Sequence, residues 1–129
     1  MVSDKFQVRS TGPLNSLTRQ PVKGRKLGGG IRLGEMERDS LLAHGASYML
    51  QDRLLNCSDS HRCYACKTCG SVISAVHKPS TASATQKMTC IYCDSSSGIR
   101  LINLPYVFRY LANELAAMNI RLAVTVRDC

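Results

Sequence analysis

From residue 1 to residue 34 the apolar side chains stand singly, with no period of 3.6 or 2, between Gly12-Pro13, Pro21, Gly24 and the run Gly28-Gly29-Gly30. Such a stretch reads as an extended loop, short of the apolar surface needed to order itself alone. Periodicity begins at Met36. Met36, Ala43, Ala46, Leu50 and Leu54, flanked by Leu42 and Met49, fall on one face of a helix. Glu35, Glu37 and Asp39 occupy its first turns, where the helix dipole favours anions. Gly45 in the middle weakens a helix by roughly 1 kcal/mol relative to Ala, so its expected use is close packing against a neighbour. Asn56, Ser58 and Asp59 end the helix by turn chemistry. Short strands are expected over 70–77, 86–89 and 99–104, and residues 78–85, small, polar and led by Pro79, read as a flexible hairpin tip.

A second helix is expected to start at Asn103-Leu104-Pro105, with proline in the first turn. Leu104, Phe108, Leu111, Leu115 and Met118 then form a narrow apolar seam. Ile120, Leu122, Val124 and Val126 alternate with Arg121, Ala123, Thr125 and Arg127, the pattern of a half-buried strand. Two readings of this apolar end stand level. Either another chain or another part of this one covers it, or the two helices pack on each other.

Charge adds a direction. The formal net charge is +8, and Lys5, Arg9, Arg19, Lys23, Arg25, Lys26 and Arg32 lie together between Asp4 and Glu35 with no acidic residue among them. The rest of the chain is nearly balanced, so the polyanionic partner that this charge favours is expected at the loop. Glycine backbone there suits close approach to a phosphate chain; the bland alternative is a solvated tail. No apolar run approaches the roughly 18 residues that span a bilayer. The amino-terminal residues carry no apolar stretch after a basic start, so a secretory signal and a disulfide scaffold are not expected.

The sharpest chemistry lies in two Cys-x-x-Cys pairs, Cys66/Cys69 and Cys90/Cys93, at the edge of the spacing of a four-cysteine zinc site. Two residues between ligands let one tight turn aim both sulfurs at one ion, and Gly70 fits that turn's need for positive φ. Four thiolates leave no open position, so the expected zinc is structural. Cys63 and Cys66 also form a Cys-x-x-Cys pair. Cys66 with Cys69 is preferred because Cys69-Gly70 completes the turn, which leaves Cys57, Cys63 and Cys129 as spare thiols, with His61 and His77 as less favoured substitute ligands. The expected fold class is α+β. It comprises a basic Gly-rich loop over 1–34, a helix over 35–58, a zinc ribbon of short antiparallel strands over 59–104, and a helix and strand over 105–129 that dock on a partner. This is not an independent full domain.

The run Gly29-Gly30-Ile31-Arg32-Leu33-Gly34-Glu35-Met36-Glu37-Arg38-Asp39, preceded by residues 18–25, resembles the C-terminal region of the second-largest subunit of multisubunit RNA polymerases, whose bacterial counterpart is the β subunit. Residues 105–110 and 114–120 are most similar to the RNA polymerase I version. The resemblance implies that the loop is a switch at the base of the mobile clamp, with Arg19, Gln20, Lys23, Arg25 and Arg32, and Lys26 beside them, contacting template DNA and the RNA–DNA hybrid. It implies that residues 55–62 form a second switch and that the zinc ribbon braces the largest subunit. It also implies work in rRNA transcription in the nucleus and nucleolus, with no membrane partner. Leu33 stands where the family commonly has Phe, and the spacer between the cysteine pairs is long. In that family the catalytic Mg2+ is held by aspartates of the largest subunit. No matching triplet exists here, so no catalytic residue is expected and this piece alone should not polymerise nucleotides. The subunits are many times longer, so the chain is expected to be a fragment, a truncated product or a partial gene. A free-standing zinc-ribbon adaptor for nucleic acid is the alternative, and a thiol enzyme using Cys63 or Cys66 is a third.

Overall fold

A computed structural model describes residues 2–78 and 87–127. The described chain is α+β and divides into two compact units: Met1–Ser60 with Pro105–Val107, and His61–Leu104 with Phe108–Cys129.

In the first unit the basic segment is a folded loop rather than the extended, unordered one its sparse apolar content predicted. Hydrogen bonds order it in place of apolar burial. Asn15 Oδ1 accepts from the Leu17 and Thr18 amides at 2.9 and 3.2 Å, and the Val22 carbonyl accepts from the Gly30 amide at 2.9 Å. Isolated bridges join Leu14 to Pro21 and Lys23 to Gly30. Helix α1 (Glu35–Ala43) starts where the Glu37 carboxylate reaches back to the Gly34 amide at 2.9 Å, half of a capping box.

The single helix expected from residue 35 is broken. Gly45 has φ +70° and takes the left-handed position after α1; the Gly45 amide bonds to the Leu42 carbonyl and the Ala46 amide to the Leu41 carbonyl. That is a helix-ending Schellman pattern. A Cβ at Gly45 would meet nothing within 4 Å, so its backbone angle and not close packing accounts for it. Helix α2 (Ser47–Gln51) follows and runs into a π-helical turn, Asp52–Asn56. Only part of the predicted apolar face comes together: Leu42, Ala46, Leu50 and Leu54 meet, whereas Met36 is 84% exposed. No residue of α1 or α2 is buried, and Leu41, Leu42, Leu50 and Leu54 line an open groove of about 320 Å³.

In the second unit β1 (Ser60–Cys66) pairs with β4 (Ile99–Pro105), and β2 (Ala75–Lys78) pairs antiparallel with β3 (Lys87–Cys90), Ala75 opposite Cys90 and His77 opposite Met88. The strand expected over 70–77 is thus only β2, because 70–74 turn back around the cysteines. The expected hairpin tip lies outside the described residues beyond Lys78, as do Gln86 and Cys129. Cys63, Ala65, Val72, Leu104 and Ala112 form the core, with Ile73, Ile102, Phe108, Val124 and Val126 packed on it.

Helix α3 (Tyr106–Ala117) begins one residue after Pro105, which closes β4. Its inward face runs through Phe108 and Ala112, whereas Leu111 and Met118 of the predicted seam are 44% and 62% exposed. Asn119, at φ +61°, ends the helix with its amide on the Ala116 carbonyl and the Ile120 amide on the Leu115 carbonyl. The strand expected over 120–126 forms no ladder and has no regular secondary structure. Its alternation is real: Leu122, Val124 and Val126 are half-buried and their neighbours exposed. Its partner is the Gly70 turn, whose carbonyl takes the Val124 amide at 2.8 Å. For this segment the unit's own core is the covering surface. Among the described residues no helix is long and apolar enough to cross a membrane.

Candidate metal centre and cationic loop

Two turns carry the four cysteines. The first leaves β1 at Cys66, where the Gly70 amide bonds back to the Cys66 carbonyl at 2.8 Å and the Cys66 amide to the Ser71 carbonyl at 3.0 Å. Gly70 has φ +71°, and a Cβ there would meet the Val124 carbonyl at 2.8 Å. The second turn leaves β3 at Cys90, whose amide bonds to the Ser95 carbonyl at 3.0 Å; Asp94, at φ +48°, stands where Gly70 stands in the first. Lys78 at the end of β2 pairs with the Asp94 carboxylate.

These turns bring Cys66, Cys69, Cys90 and Cys93 into one cluster, their sulfurs all within 4.8 Å of one another. Cys66 Sγ is 3.9 Å from Cys93 Sγ, and Cys69 Sγ is 3.6 Å from Cys90 Sγ. Tetrahedral sulfurs on zinc, at about 2.3 Å from the ion, stand roughly 3.8 Å apart, whereas a disulfide is about 2.05 Å. The donor set and spacing therefore fit a zinc ion. Bound there, zinc would cross-link the two turns, with no coordination position left for a reactant.

Proton affinities agree with a site that needs a cation. Hydrogen bonds from the Cys69 amide, with that of Thr68, push the Cys66 thiol down despite burial. At Cys90 burial resists ionisation, but the Ser74 hydroxyl at 3.1 Å and the Cys93 amide, joined by the Cys69 thiol and the Tyr92 amide, bring it down to about 6. Cys93 is pushed up to about 12, chiefly by sharing its proton with Cys69, then by burial and by Cys66 and Cys90. Four sulfurs this close cannot all be anions unless a positive ion sits among them.

The competing ligands lie elsewhere. Cys63 is buried in the apolar core. His61 bonds through Nε2 to Arg109 Nη1 at 3.1 Å, and His77 is exposed on β2. Burial pushes the Cys63 thiol up, and a hydrogen bond to Asp52 pushes up that of Cys57. Both shifts oppose thiolate reactivity, so Cys63 does not support the thiol-enzyme alternative; its other candidate, Cys66, lies within the four-sulfur cluster. Ser74 was not legible in the sequence, since nothing in its surroundings marks it as a partner of Cys90.

The candidate nucleic-acid residues all lie in the first unit. Arg25 and Lys26 project from a short 3-10 turn, Arg25–Leu27, and Lys23 and Arg32 are exposed beside it in the chain. None of these four forms an ion pair among the described residues. Arg19, at φ +57°, lays its guanidinium over the Tyr106 ring, 5.4 Å from the centroid. Gln20 is half-buried and its carbonyl accepts from the Asn15 amide at 2.8 Å, which makes it part of the loop's frame.

Comparison with known proteins places these features. Residues 29–127 match the family RNA polymerase Rpb2, domain 7, and residues 1–27 match RNA polymerase Rpb2, domain 6. The chain is 52% identical to DNA-directed RNA polymerase I subunit 2 of Arabidopsis thaliana, covering 99% of this chain and 12% of that protein. It is 55% identical to DNA-directed RNA polymerase I subunit rpa2 of Dictyostelium discoideum, with 98% and 11% covered. Identity to DNA-directed RNA polymerase I subunit RPA2 of Homo sapiens is 52%, with 98% and 12% covered. The chain spans about 12% of the length of these curated relatives.

Proposed function

The chain belongs to the RNA polymerase Rpb2 family, its sequence nearly covered by domains 6 and 7 of that subunit and about half identical to RNA polymerase I members, and we propose that it is the C-terminal clamp and switch part of the second-largest subunit of RNA polymerase I. In this reading it supplies no catalytic group to nucleotidyl transfer. It holds nucleic acid while the chemistry proceeds on Mg2+ carried by another subunit. Lys23, Arg25, Lys26 and Arg32 grip the backbone of template DNA and of the RNA–DNA hybrid, with Arg19 and Gln20 framing them. Contacts of this type carry no sequence preference and weaken with salt, as suits an enzyme that moves along its template. Zinc held by Cys66, Cys69, Cys90 and Cys93 is structural. The uncovered apolar face of α1 and α2 is the surface for the rest of the polymerase, the largest subunit first. The site of action is the nucleus, and within it the nucleolus.

The observation that carries this reading is the group of four exposed cations, without an ion pair among the described residues, on a hydrogen-bonded loop. The test is the joint substitution Arg25→Ala and Lys26→Ala in the full-length subunit of assembled polymerase. Retention of a template–hybrid duplex is measured against salt. Each lost phosphate contact should make the log–log slope shallower by about 0.9. An unchanged slope would remove the loop from the nucleic-acid interface.

A further inference from the structure

The glycine run is not bare backbone. The amides of Gly28, Gly29 and Gly30 bond to the carbonyls of Arg25, Gly24 and Val22 at 3.1, 2.9 and 2.9 Å. Their carbonyls are taken as well. Gln7 Nε2 donates to Gly29 O at 2.8 Å and to Gly30 O at 3.1 Å. Arg9 Nη1 donates to Gly28 O and to Pro13 O, both at 3.0 Å. A Cβ on Gly29 would run into the Val22 carbonyl, so the requirement for glycine there arises from the loop itself and not from a ligand. The sequence expectation that these glycines present their backbone to phosphate is thereby corrected.

We infer that Gln7 and Arg9 are positioning residues for the cationic loop, and that the loop grips nucleic acid through side chains rather than through glycine amides. This rests on the nucleic-acid reading above. Gln7 and Arg9 both lie ahead of the glycine run in the chain and are half-buried. Their donors pin three successive carbonyls. Each carbonyl carries partial negative charge, which the donor bonded to it offsets. Arg9 bonds Gly28, the residue that caps the Arg25–Leu27 turn, and Gln7 bonds Gly29 and Gly30 that follow it, so Arg25 and Lys26 are presented from a fixed base. Gln7 is uncharged and cannot itself supply a counterion contact. Any effect of its loss on salt dependence is therefore transmitted through the cations it positions.

The test uses the full-length subunit in assembled polymerase. Gln7→Met keeps the length of the side chain and the net charge while removing both donors. The expected result is a log–log salt slope for template–hybrid retention shallower by about 0.9–1.8, the equivalent of one or two phosphate contacts. An unchanged slope in Gln7→Met, with a reduced slope in Arg25→Ala/Lys26→Ala, overturns the positioning role and leaves the interface intact. Unchanged slopes in both overturn the interface and this inference together. A second measurement needs no substitution, and so stands even if Gln7→Met fails to assemble. Hydrogen exchange over residues 24–31 of the unaltered polymerase should be slow with and without nucleic acid. Protection of the Gly28–Gly30 amides that develops only when nucleic acid is added would mean that they bond to phosphate, and would overturn the inference.

Discussion

Cys63 and Cys90 are buried thiols of the same unit, and replacing each by serine separates ligation from packing. Cys90 Sγ stands 3.6 Å from Cys69 Sγ and 3.1 Å from Ser74 Oγ. Cys63 lies in the core with Val72 and Leu104. A structural zinc contributes about 10–16 kcal/mol in small domains. Val72 and Leu104, the two large aliphatic side chains buried there, contribute about 1.5–3 kcal/mol each. The ion outweighs them severalfold, so a unit that loses one of four ligands should not hold its fold. Cys63→Ser places a hydroxyl in apolar surroundings, a loss of about 1–3 kcal/mol, and leaves the four ligands in place. The assay is metal content by native mass spectrometry together with thermal unfolding. The chain as it stands and Cys63→Ser should each carry one zinc, the variant melting lower but cooperatively. Cys90→Ser should carry none and show no cooperative transition over residues 61–104. A Cys90→Ser chain that melts like the parent, or a Cys63→Ser chain that loses its metal, would refute the assignment of the ligand set.

Gly70→Ala should weaken the first cysteine turn by more than 1 kcal/mol, because its φ is +71° and its Cβ would press on the Val124 backbone; an unshifted melting temperature would show that the turn relaxes freely. Asp59→Ala should destabilise the start of α3 by about 1–2 kcal/mol, since the buried carboxylate accepts the Val107 amide at 3.1 Å, and hydrogen exchange at Tyr106 and Val107 reads the loss. Zinc uptake at pH 7 should release protons, because Cys93, pushed up to about 12, is protonated before the ion arrives while Cys90, at about 6, is largely not. Affinity should therefore rise with pH through the neutral range. Calorimetry in buffers of different ionisation enthalpy counts the protons, and a count of zero would contradict the assignment.

Local features were legible wherever chemistry and spacing are set by neighbours in the chain. The Cys-x-x-Cys pairs, Gly70 after the first of them and the acidic first turn of α1 all follow from short-range rules. The structure puts the four cysteine sulfurs together as that spacing implied. The family was legible too, because the run from Gly29 to Asp39 is long and specific, and nearly the whole chain matches Rpb2 domains. Errors arose where one pattern admits two structures. A period of 3.6 continues across Gly45, yet the glycine takes the left-handed conformation and ends α1. Asn119 and Asp94 also adopt positive φ. Of these, only Asp94 had a parallel in the sequence, standing after its Cys-x-x-Cys as Gly70 stands after the other.

The sequence by itself determined which groups carry charge, which can bind a soft metal and which stretches can be helical, because these are properties of side chains and their spacing. Tertiary structure alone decided how those groups are spent. It placed Cys63 in a core and not on the metal cluster, since β1 turns that side chain toward Val72 and Leu104. Alternation at residues 120–126 marked a face without naming its cover, which proved to be the Gly70 turn and the unit's own core. In the loop, Gln7 and Arg9 meet glycines about 20 residues away. Hydrogen bonds of that range leave no periodic trace in the chain, so a segment too poor in apolar residues to order itself by burial is ordered by polar bonds that only the fold brings within reach.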